Sequence, residues 1–518
     1  MAKNFYCDER TVVNTNHGNV QGYYTDGLYI FKGIPYAKAE RFATPEYPDY
    51  SEKTIDATSY GCVCPLLSLG KPNGELNVPH RYWVQDEDCL NLNVWTKGLD
   101  DKKRPVVVWL HGGGFEAGSA IEHDAYDGAN TALLGDVVFV SINHRLNILG
   151  YLDLSSLSDK YASSANNGSL DIVYALKWVK ENISSFGGDP ENVTVYGQSG
   201  GGAKVTTLLQ MPSADGLFQK GMIMSGVYSL DMLGKTDDDE SFIVDALLNE
   251  LSLSRENYAE IEILPYKTLA DAYNKVSKIV RAQGHYVGGN PKKNADYAGD
   301  PMKYGFRKET LGIPLIISSV YGEFAFGETG FDKRKLSRKE GEEIIRKTYG
   351  EGVNDILPLF EKAYPERNPV DLMVLDIIFR TAEIPYILTR SATSTVYTYL
   401  FDMDFNLGSG KPAWHCADIP YVFHNVHMVD AVNVSDVSDK LEEQMFDSFI
   451  AFAKSGDPNN ALVPTWHKST PTAEHTMIFG KDTREEVNFD HELLQKFTPI
   501  AIPVLMQMVA KIFGNVQH

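Results

Sequence analysis

The sequence has few cysteines and fewer basic than acidic residues. Only five of its 518 residues are cysteine, and Cys62 and Cys64 have the wrong spacing for a zinc knuckle, so neither a disulfide framework nor a metal site is expected. The 48 lysines and arginines are outnumbered by 69 acidic residues, giving a formal net charge of −21. Because phosphate binding needs clustered basic side chains, this balance argues against a nucleic-acid partner.

Long apolar runs are also missing. No stretch approaches the roughly 18 apolar residues that span a bilayer, and the first residues lack the apolar core of a secretory signal. The segment 500–513 is the most apolar, but Pro503, Gln507 and Lys511 interrupt it, which favours a tail packed on the core. We therefore predict a soluble, cytoplasmic protein without a membrane partner.

The chain has no long linker, no low-complexity run and no repeat of roughly 20–50 residues. Its 43% apolar residues suffice for one large core. Because single domains with insertions reach this length, we predict one domain over residues 1–518. The sequence does not predict the oligomeric state.

The most informative stretch is VTVYGQSGGGA at 193–203. A short β-branched run breaks into glycines on both sides of Ser199 and then enters a helix-compatible segment. This pattern suits a strand that turns sharply into a helix, because the turn leaves no room for side chains beside the serine. We interpret Ser199 as a catalytic nucleophile, although the pattern G-x-S-x-G also arises by chance.

The neighbouring segments predict a parallel sheet. The run 104–110, RPVVVWL, is typical of a strand buried on both faces, and 137–142 predicts a second such strand. Apolar positions in 169–186 fall on one helical stripe that leads into the strand before Ser199. This order of strand, helix, strand and helix predicts an active site at the C-terminal strand edges.

Residues 111–115, HGGGF, follow the first of these buried strands. Three successive glycines leave their backbone N–H groups open to an approaching oxygen, which suits an oxyanion hole. An ordinary glycine-rich loop is an equally good interpretation of this pattern taken alone.

Strand signals are already present in the opening third of the chain. In the segment 86–95, Leu90, Leu92 and Val94 alternate with asparagines. This period of two predicts a strand with one buried and one exposed face.

Two later segments of the chain are predicted to be helical and to lie between further strands. Residues 230–310 and 337–390 are rich in charged, helix-prone stretches without catalytic patterns. We predict that both are helical insertions, and that they lie over the active-site edge of the sheet.

A serine hydroxyl needs a base to accept its proton, and the base needs a third group to orient it. Glu323 follows a predicted strand at 313–320, and His415 lies in the loop after another at 395–401. The chain order Ser, Glu, His is that expected of α/β hydrolases. Spacing alone also allows Glu323 to be an ordinary solvated strand-end acid. Other downstream histidines fall in predicted helical, turn or tail segments: His424, His427, His467, His475 and His491.

The chain resembles type B carboxylesterases, the α/β-hydrolase family that includes cholinesterases and microbial p-nitrobenzyl esterases. The resemblance implies a central, mostly parallel sheet flanked by helices, and it is closest to bacterial members. The matching stretches run nearly end to end: FKGIPYA at 31–37, EDCLNLNV at 87–94, GGGF at 112–115, FGGDP at 186–190, the serine turn, and FAKSGDPN at 452–459.

The resemblance implies a catalytic triad of Ser199 as nucleophile, His415 as base and Glu323 as acid, without metal or organic cofactor. Ser225 matches a second serine that resembles a helper to the acid and histidine; a strand-end hydroxyl bound to backbone is the alternative. The implied oxyanion hole consists of three backbone N–H groups, those of Gly113, Gly114 and Gly200.

Some positions depart from the family pattern. Many relatives have Glu-Ser-Ala where this chain has Gln198 before the serine and Gly200 after it. We expect this change to alter the support around the nucleophile while leaving the N–H donor in place. Phe324 replaces a glycine that often follows the acid, and Cys416 and Asp418 stand where glycine and glutamate are common.

The expected reaction is two-step acyl transfer from a small-molecule ester. Some bacterial members cleave hydroxycinnamoyl (feruloyl-type) esters, which suggests aromatic or short-chain esters here. The same site could hydrolyse a thioester, amide or lactone, and a non-catalytic binding protein is the alternative from another class. Aromatic residues near the site in sequence predict pocket walls, with core packing as the alternative: Tyr82, Trp83, Phe115, Phe324, Phe326 and Trp414.

Overall fold

An 11-stranded sheet runs through the centre of the protein. The computed structural model describes residues 4–48, 50, 53–68, 80–228, 241–283, 285, 288–325 and 330–514. The strands are, in chain order, β1 (Val12–Thr15), β2 (Gly18–Gln21), β3 (Tyr23–Thr25), β4 (Leu28–Pro35), β5 (Thr54–Asp56), β6 (Asn91–Thr96), β7 (Arg104–Leu110), β8 (Val138–Ile142), β9 (Gly188–Gln198), β10 (Lys220–Met224), β11 (Leu315–Val320), β12 (Val396–Asp402), β13 (Asp404–Phe405), β14 (Lys411–Pro412), β15 (His475–Gly480) and β16 (Arg484–Val487).

The central sheet has the order β16-β15-β12-β11-β10-β9-β7-β8-β6-β4-β3. The strands from β15 to β8 in this order are parallel, and the edge strands are antiparallel. In a parallel sheet the C-terminal strand ends meet at one edge, so the loops after β7, β9, β10, β11 and β12 converge there.

Helices cover the sheet on both faces. They are α1 (Ala129–Gly135), α2 (Asn147–Tyr151), α3 (Asn167–Asn182), α4 (Gly200–Leu208), α5 (Ser241–Glu250), α6 (Tyr266–Ala282), α7 (Pro301–Tyr304), α8 (Arg338–Tyr349), α9 (Leu357–Ala363), α10 (Phe379–Arg390), α11 (Ile419–Phe423), α12 (Ser438–Ser455) and α13 (His491–Gly514). This arrangement confirms the predicted α/β-hydrolase fold. No helix in the described residues is long and apolar enough to cross a membrane.

The buried strand β7 explains why its sequence is continuously apolar. Val106 and Val108 pack into the core on one face of the sheet, whereas Val107 and Trp109 pack into the core on the other. Successive strand side chains point to opposite faces, so a strand covered on both faces needs apolar residues at every position.

The prediction of a half-exposed strand around 86–95 was wrong, because β6 is buried along its whole length. Its asparagine amides are satisfied inside the protein. The Asn93 amide donates to Ser141 Oγ at 3.1 Å and accepts the Gly33 N–H at 2.9 Å. Asn91 donates to the carbonyl oxygen of Cys62 at 2.8 Å. Polar side chains with such partners can be buried at little cost, so the alternating pattern does not mark an exposed face.

The segments expected as insertions contain α5 to α7 and α8 to α10 in their described parts. The single-domain organisation, and the position of both segments over the active-site edge, remain predictions. The apolar tail belongs to α13, where Leu494, Phe497 and Ala501 are buried in a core cluster with α9.

Candidate active site

Ser199 lies in a sharp turn between β9 and α4. Its φ of 59° and ψ of −125° are strained for a residue other than glycine, and it is partly exposed to solvent. A Cβ on Gly197 would lie 2.5 Å from the carbonyl carbon of Gly201, and one on Gly201 would lie 2.0 Å from the Leu110 carbonyl oxygen. The glycines flanking the serine are therefore required by close backbone contacts.

Glu323 and His415 meet at the C-terminal ends of β11 and β12. The Nδ1 atom of His415 is 2.5 Å from Glu323 Oε2, and its backbone N–H donates to the Glu323 carbonyl oxygen at 3.2 Å. The Glu323 side chain is fully buried. Its other oxygen, Oε1, accepts hydrogen bonds from Ser225 Oγ at 2.6 Å and from the Val320 N–H at 2.9 Å. The structure thus brings Glu323, His415 and Ser225 together.

Gln198 connects the serine turn to the histidine. Its side chain is buried, and its Nε2 atom lies 3.3 Å from both ring nitrogens of His415. Its Oε1 atom accepts a hydrogen bond from the Cys416 thiol at 2.8 Å. The residue before Ser199 therefore contacts both His415 and the residue after it, so the two halves of the predicted triad are adjacent.

The glycine loop after β7 lies beside the N-terminus of α4. Gly113 and Gly114 have φ values of 82° and 63°, and their N–H groups have no acceptor within the described residues. The Gly200 N–H is the first of α4, and such groups have no partner within their helix. A Cβ on Gly200 would lie only 2.4 Å from Gly114 N. The three predicted oxyanion-hole residues are therefore neighbours, and the loop occupies the space of the alanine methyl found in many relatives.

An aromatic cluster covers His415, and of its members the sequence predicted Phe324 but not Phe379 or Tyr228. The Phe379 ring is stacked on the imidazole with centroids 5.4 Å apart. Phe324 stacks on Phe379 at 6.0 Å, and Tyr228 meets Phe379 edge-on at 5.8 Å. Phe324 is 47% exposed, so this cluster extends from the histidine to the surface.

Phe379 is held in place by polar contacts at the start of α10. The Asp376 carboxylate accepts the N–H groups of Ile378, Phe379 and Arg380 at 3.0, 3.3 and 2.7 Å. The Arg380 guanidinium forms buried ion pairs with Glu474 and Asp490. The Asp376 contacts are local to the start of α10, whereas the Arg380 ion pairs join segments far apart in the chain and have no local sequence signal.

The predicted pocket residues have different surroundings. Phe115 is buried against Tyr151, with ring centroids 5.0 Å apart. Tyr82 and Trp83 are 68% and 39% exposed, and Trp83 packs edge-on against Tyr60. Trp414 is 1% exposed and packs against Phe405 at 5.0 Å, so it belongs to the core rather than to an open wall. Phe326 lies outside the described residues.

Further buried carboxyl groups surround Glu323. Burial, and then the charge of Glu323, raise the pKa of Asp376 to about 7. Burial and Glu323 likewise raise the pKa of Asp418 to about 7, against the opposing effect of a hydrogen bond from Tyr399. Burial raises the pKa of Glu383 well above its usual value. Their raised pKa values favour the protonated forms of these groups over the charged forms, which limits the negative charge around the Glu323 carboxylate.

Three groups in the described residues combine histidine with acidic side chains closely enough to hold a metal ion. They do not include the predicted triad. The groups are His80, Glu122 and His123; His467, His475 and Glu485; and Glu474, Asp490 and His491.

Comparison with known proteins identifies the family of this chain. The model of the carboxylesterase family matches residues 9–496. The para-nitrobenzyl esterase of Bacillus subtilis is 32% identical over 94% of this chain and 98% of its own length. The phenmedipham hydrolase of Pseudarthrobacter oxydans is 30% identical over 92% and 96%.

The solved structures that resemble this chain are also esterases. An esterase from anaerobic Clostridium hathewayi, described as able to hydrolyse aliphatic aromatic polyesters, is 47% identical, with a TM-score of 0.93 over 96% of this chain and 100% of that one. A thermophilic p-nitrobenzyl esterase is 30% identical, with a TM-score of 0.77 over 94% and 99%. The chain thus belongs to the carboxylesterase family and is a serine ester hydrolase with the α/β-hydrolase fold.

Proposed function

We propose that Ser199, His415 and Glu323 form the catalytic triad, and that the substrates are esters with an aromatic acyl or alcohol group. The observation that carries the triad is the 2.5 Å contact between His415 Nδ1 and buried Glu323 Oε2, next to the strained turn of Ser199. A carboxylate in this position fixes the imidazole tautomer, so that Nε2 is free of its proton and can act as the base.

The reaction proceeds in two acyl-transfer steps. Ser199 Oγ attacks the ester carbonyl carbon as His415 Nε2 takes its proton. The carbonyl oxygen becomes an oxyanion that accepts hydrogen bonds from the N–H groups of Gly113, Gly114 and Gly200, and removing one such donor typically costs about 3 kcal/mol. His415 then gives the proton to the leaving alcohol.

The acyl-enzyme is hydrolysed by the same groups in reverse roles. His415 takes a proton from water, and the hydroxide attacks the acyl carbon bound to Ser199. Collapse of the second oxyanion returns the proton to Ser199 Oγ and releases the acid. The Glu323 carboxylate stabilises the imidazolium that forms in each step.

The aromatic cluster supports the substrate class. Phe379 and Phe324 form stacked rings beside His415, and Tyr228 meets Phe379 edge-on. Such rings favour a flat aromatic group in offset or edge contact. The hydrolysis of aliphatic aromatic polyesters described for the Clostridium hathewayi relative is consistent with this preference.

The test compares matched esters, a thioester and an amide of one aromatic acid with p-nitrophenyl acetate and butyrate. Ser199→Ala serves as the blank. We expect Ser199-dependent turnover, with kcat/KM highest for the aromatic ester and far lower for the amide. Phe379→Leu should lower the ratio of aromatic to aliphatic kcat/KM, whereas Phe5→Leu, at a 63% exposed position, should leave it unchanged. Folded protein that turns over no ester, or turns it over without Ser199, would overturn the proposal.

A further inference from the structure

A buried lysine lies behind the glycine loop. Lys204, in the second turn of α4, is only 1% exposed, and its Nζ donates a hydrogen bond to the carbonyl oxygen of His111 at 2.9 Å. The same nitrogen is 5.8 Å from the centre of the Phe115 ring. His111 and Phe115 flank the segment Gly112–Gly114, so one side chain contacts both ends of the loop.

The loop needs such support because its own residues cannot supply it. The three glycines have no side chains that could pack. Glycine can adopt many backbone conformations, so nothing in Gly113 and Gly114 themselves fixes their positive φ values. Oxyanion-hole donors act only when they are held within about 0.5 Å of the productive geometry. An anchor on α4 is well placed, since α4 begins directly after Ser199.

We propose that Lys204 is a positioning residue for ester hydrolysis. It holds both ends of the glycine loop against the helix of the nucleophile, and so keeps the N–H groups of Gly113 and Gly114 directed at the oxyanion. The inference rests on the proposed function, because it concerns the same site.

The charges around Lys204 make this anchor sensitive to pH. Burial lowers the pKa of Lys204 to about 7, and the nearby Glu122 carboxylate opposes that effect. His111, at the end of β7, and His144, in the loop after β8, also face the ammonium group. Burial first, and the Lys204 charge second, hold the pKa of both histidines well below the usual value, so both are neutral.

The amine therefore loses its charge as the pH rises through about 7. A neutral amine is a weaker donor to a carbonyl oxygen than an ammonium group, so the loop is held less firmly at higher pH. Wild-type kcat should decline on the alkaline side, and this decline should disappear when Lys204 is replaced by a residue that does not titrate.

The first experiment measures kcat, KM and their pH profiles for wild type, Lys204→Met and Lys204→Gln with one p-nitrophenyl ester.

The second experiment measures inhibition by two compounds. An aryl trifluoromethyl ketone forms an oxyanion on the serine, whereas the product alcohol does not. Lys220→Met is the matched control, because Lys220 is another largely buried lysine and lies at the opposite end of β10 from Ser225. Lys204→Gln is the second variant, for use if Lys204→Met does not fold. Its amide is uncharged and does not titrate, but it can still donate a hydrogen bond.

We expect Lys204→Met to lower kcat and ketone affinity by about tenfold or more, with KM and alcohol inhibition changed less than about threefold. The alkaline decline should be absent in both Lys204 variants and present in Lys220→Met. Wild-type kcat in folded Lys204→Met, or equal losses of ketone and alcohol binding, would overturn the inference. Absence of Ser199-dependent turnover in the wild type would instead overturn the proposed function.

Discussion

The thiol of Cys416 donates a hydrogen bond to Gln198 Oε1 at 2.8 Å. This contact joins the residue before Ser199 to the residue after His415. It also fixes the orientation of the amide, because the oxygen faces the thiol and Nε2 therefore faces the imidazole. The positive end of a neutral dipole thus points at the histidine, where many relatives carry the carboxylate of a glutamate.

Gln198→Glu should move the acidic limb of the kcat/KM profile to higher pH. The introduced carboxylate stabilises the protonated imidazole of His415, so more of the enzyme lacks its base at low pH. A shift of about one pH unit is expected from a charge at this distance in a buried site. The pH profile from pH 5 to 9 tests this, and an unchanged acidic limb in a folded variant would contradict it. Gln283→Glu, at an exposed position after α6, is the control.

Ser225→Ala should weaken the support of Glu323. The carboxylate loses the 2.6 Å hydrogen bond from Ser225 Oγ and keeps the one from the Val320 N–H. Loss of a buried hydrogen bond to a charged group costs about 1.5–3 kcal/mol, so we expect lower thermal stability and a kcat reduced about tenfold. The exposed Ser185→Ala is the control. Wild-type kcat and melting temperature in Ser225→Ala would show that Glu323 does not need this contact.

Gly200→Ala should disturb the oxyanion hole although alanine is common in relatives. The added methyl would lie 2.2–2.4 Å from backbone atoms of Gly114, so the glycine loop must move. We expect kcat to fall by about 100-fold with little change in KM, as for the loss of one oxyanion donor. Steady-state kinetics test this. A fully active variant would mean that the loop shifts without cost.

Asp418→Asn should change how stability depends on pH. Burial raises the pKa of Asp418 to about 7, whereas the unfolded chain releases this proton near pH 4. The stabilising contribution of the protonated group is therefore complete below about pH 4 and is lost as the pH rises through about 7. Asparagine cannot ionise and can still accept the hydrogen bond from Tyr399.

We take the difference in unfolding free energy between the asparagine variant and wild type below about pH 4 as the reference. Relative to that reference, the variant should gain about 1 kcal/mol over wild type at pH 5 and about 4 kcal/mol at pH 8. Melting temperatures across this range measure the difference. Parallel curves for the two proteins would contradict the raised pKa.

The backbone of the site was predictable because its signals are local. Gly197 and Gly201 stand within two residues of Ser199 in the sequence, although the atoms that exclude a Cβ there belong to Gly201 and to Leu110 at the end of β7. The buried strand before the glycine loop is continuous in sequence. Glu323 and His415 could be located because parallel strands end at a common edge.

The side-chain environment was not predictable in the same way. Phe379 lies against His415 at the start of α10, which Arg380 anchors through ion pairs with Glu474 and Asp490, and those contacts connect distant segments. Trp414 was expected near substrate because it precedes His415. Its backbone pairs with Gly322 as in a strand, so the two neighbouring side chains point in opposite directions and Trp414 enters the core.

The measurement that tests the central claim most directly is covalent trapping with diethyl p-nitrophenyl phosphate. Attack by Ser199 releases one p-nitrophenolate per protein and leaves a diethyl phosphoryl group on the serine. The triad predicts a stoichiometric burst, an adduct mapped by mass spectrometry to Ser199, and labelling at least about 100-fold slower in His415→Ala, which lacks the base. An adduct on another residue, or equal labelling of Ser199→Ala, would contradict the assignment of the nucleophile.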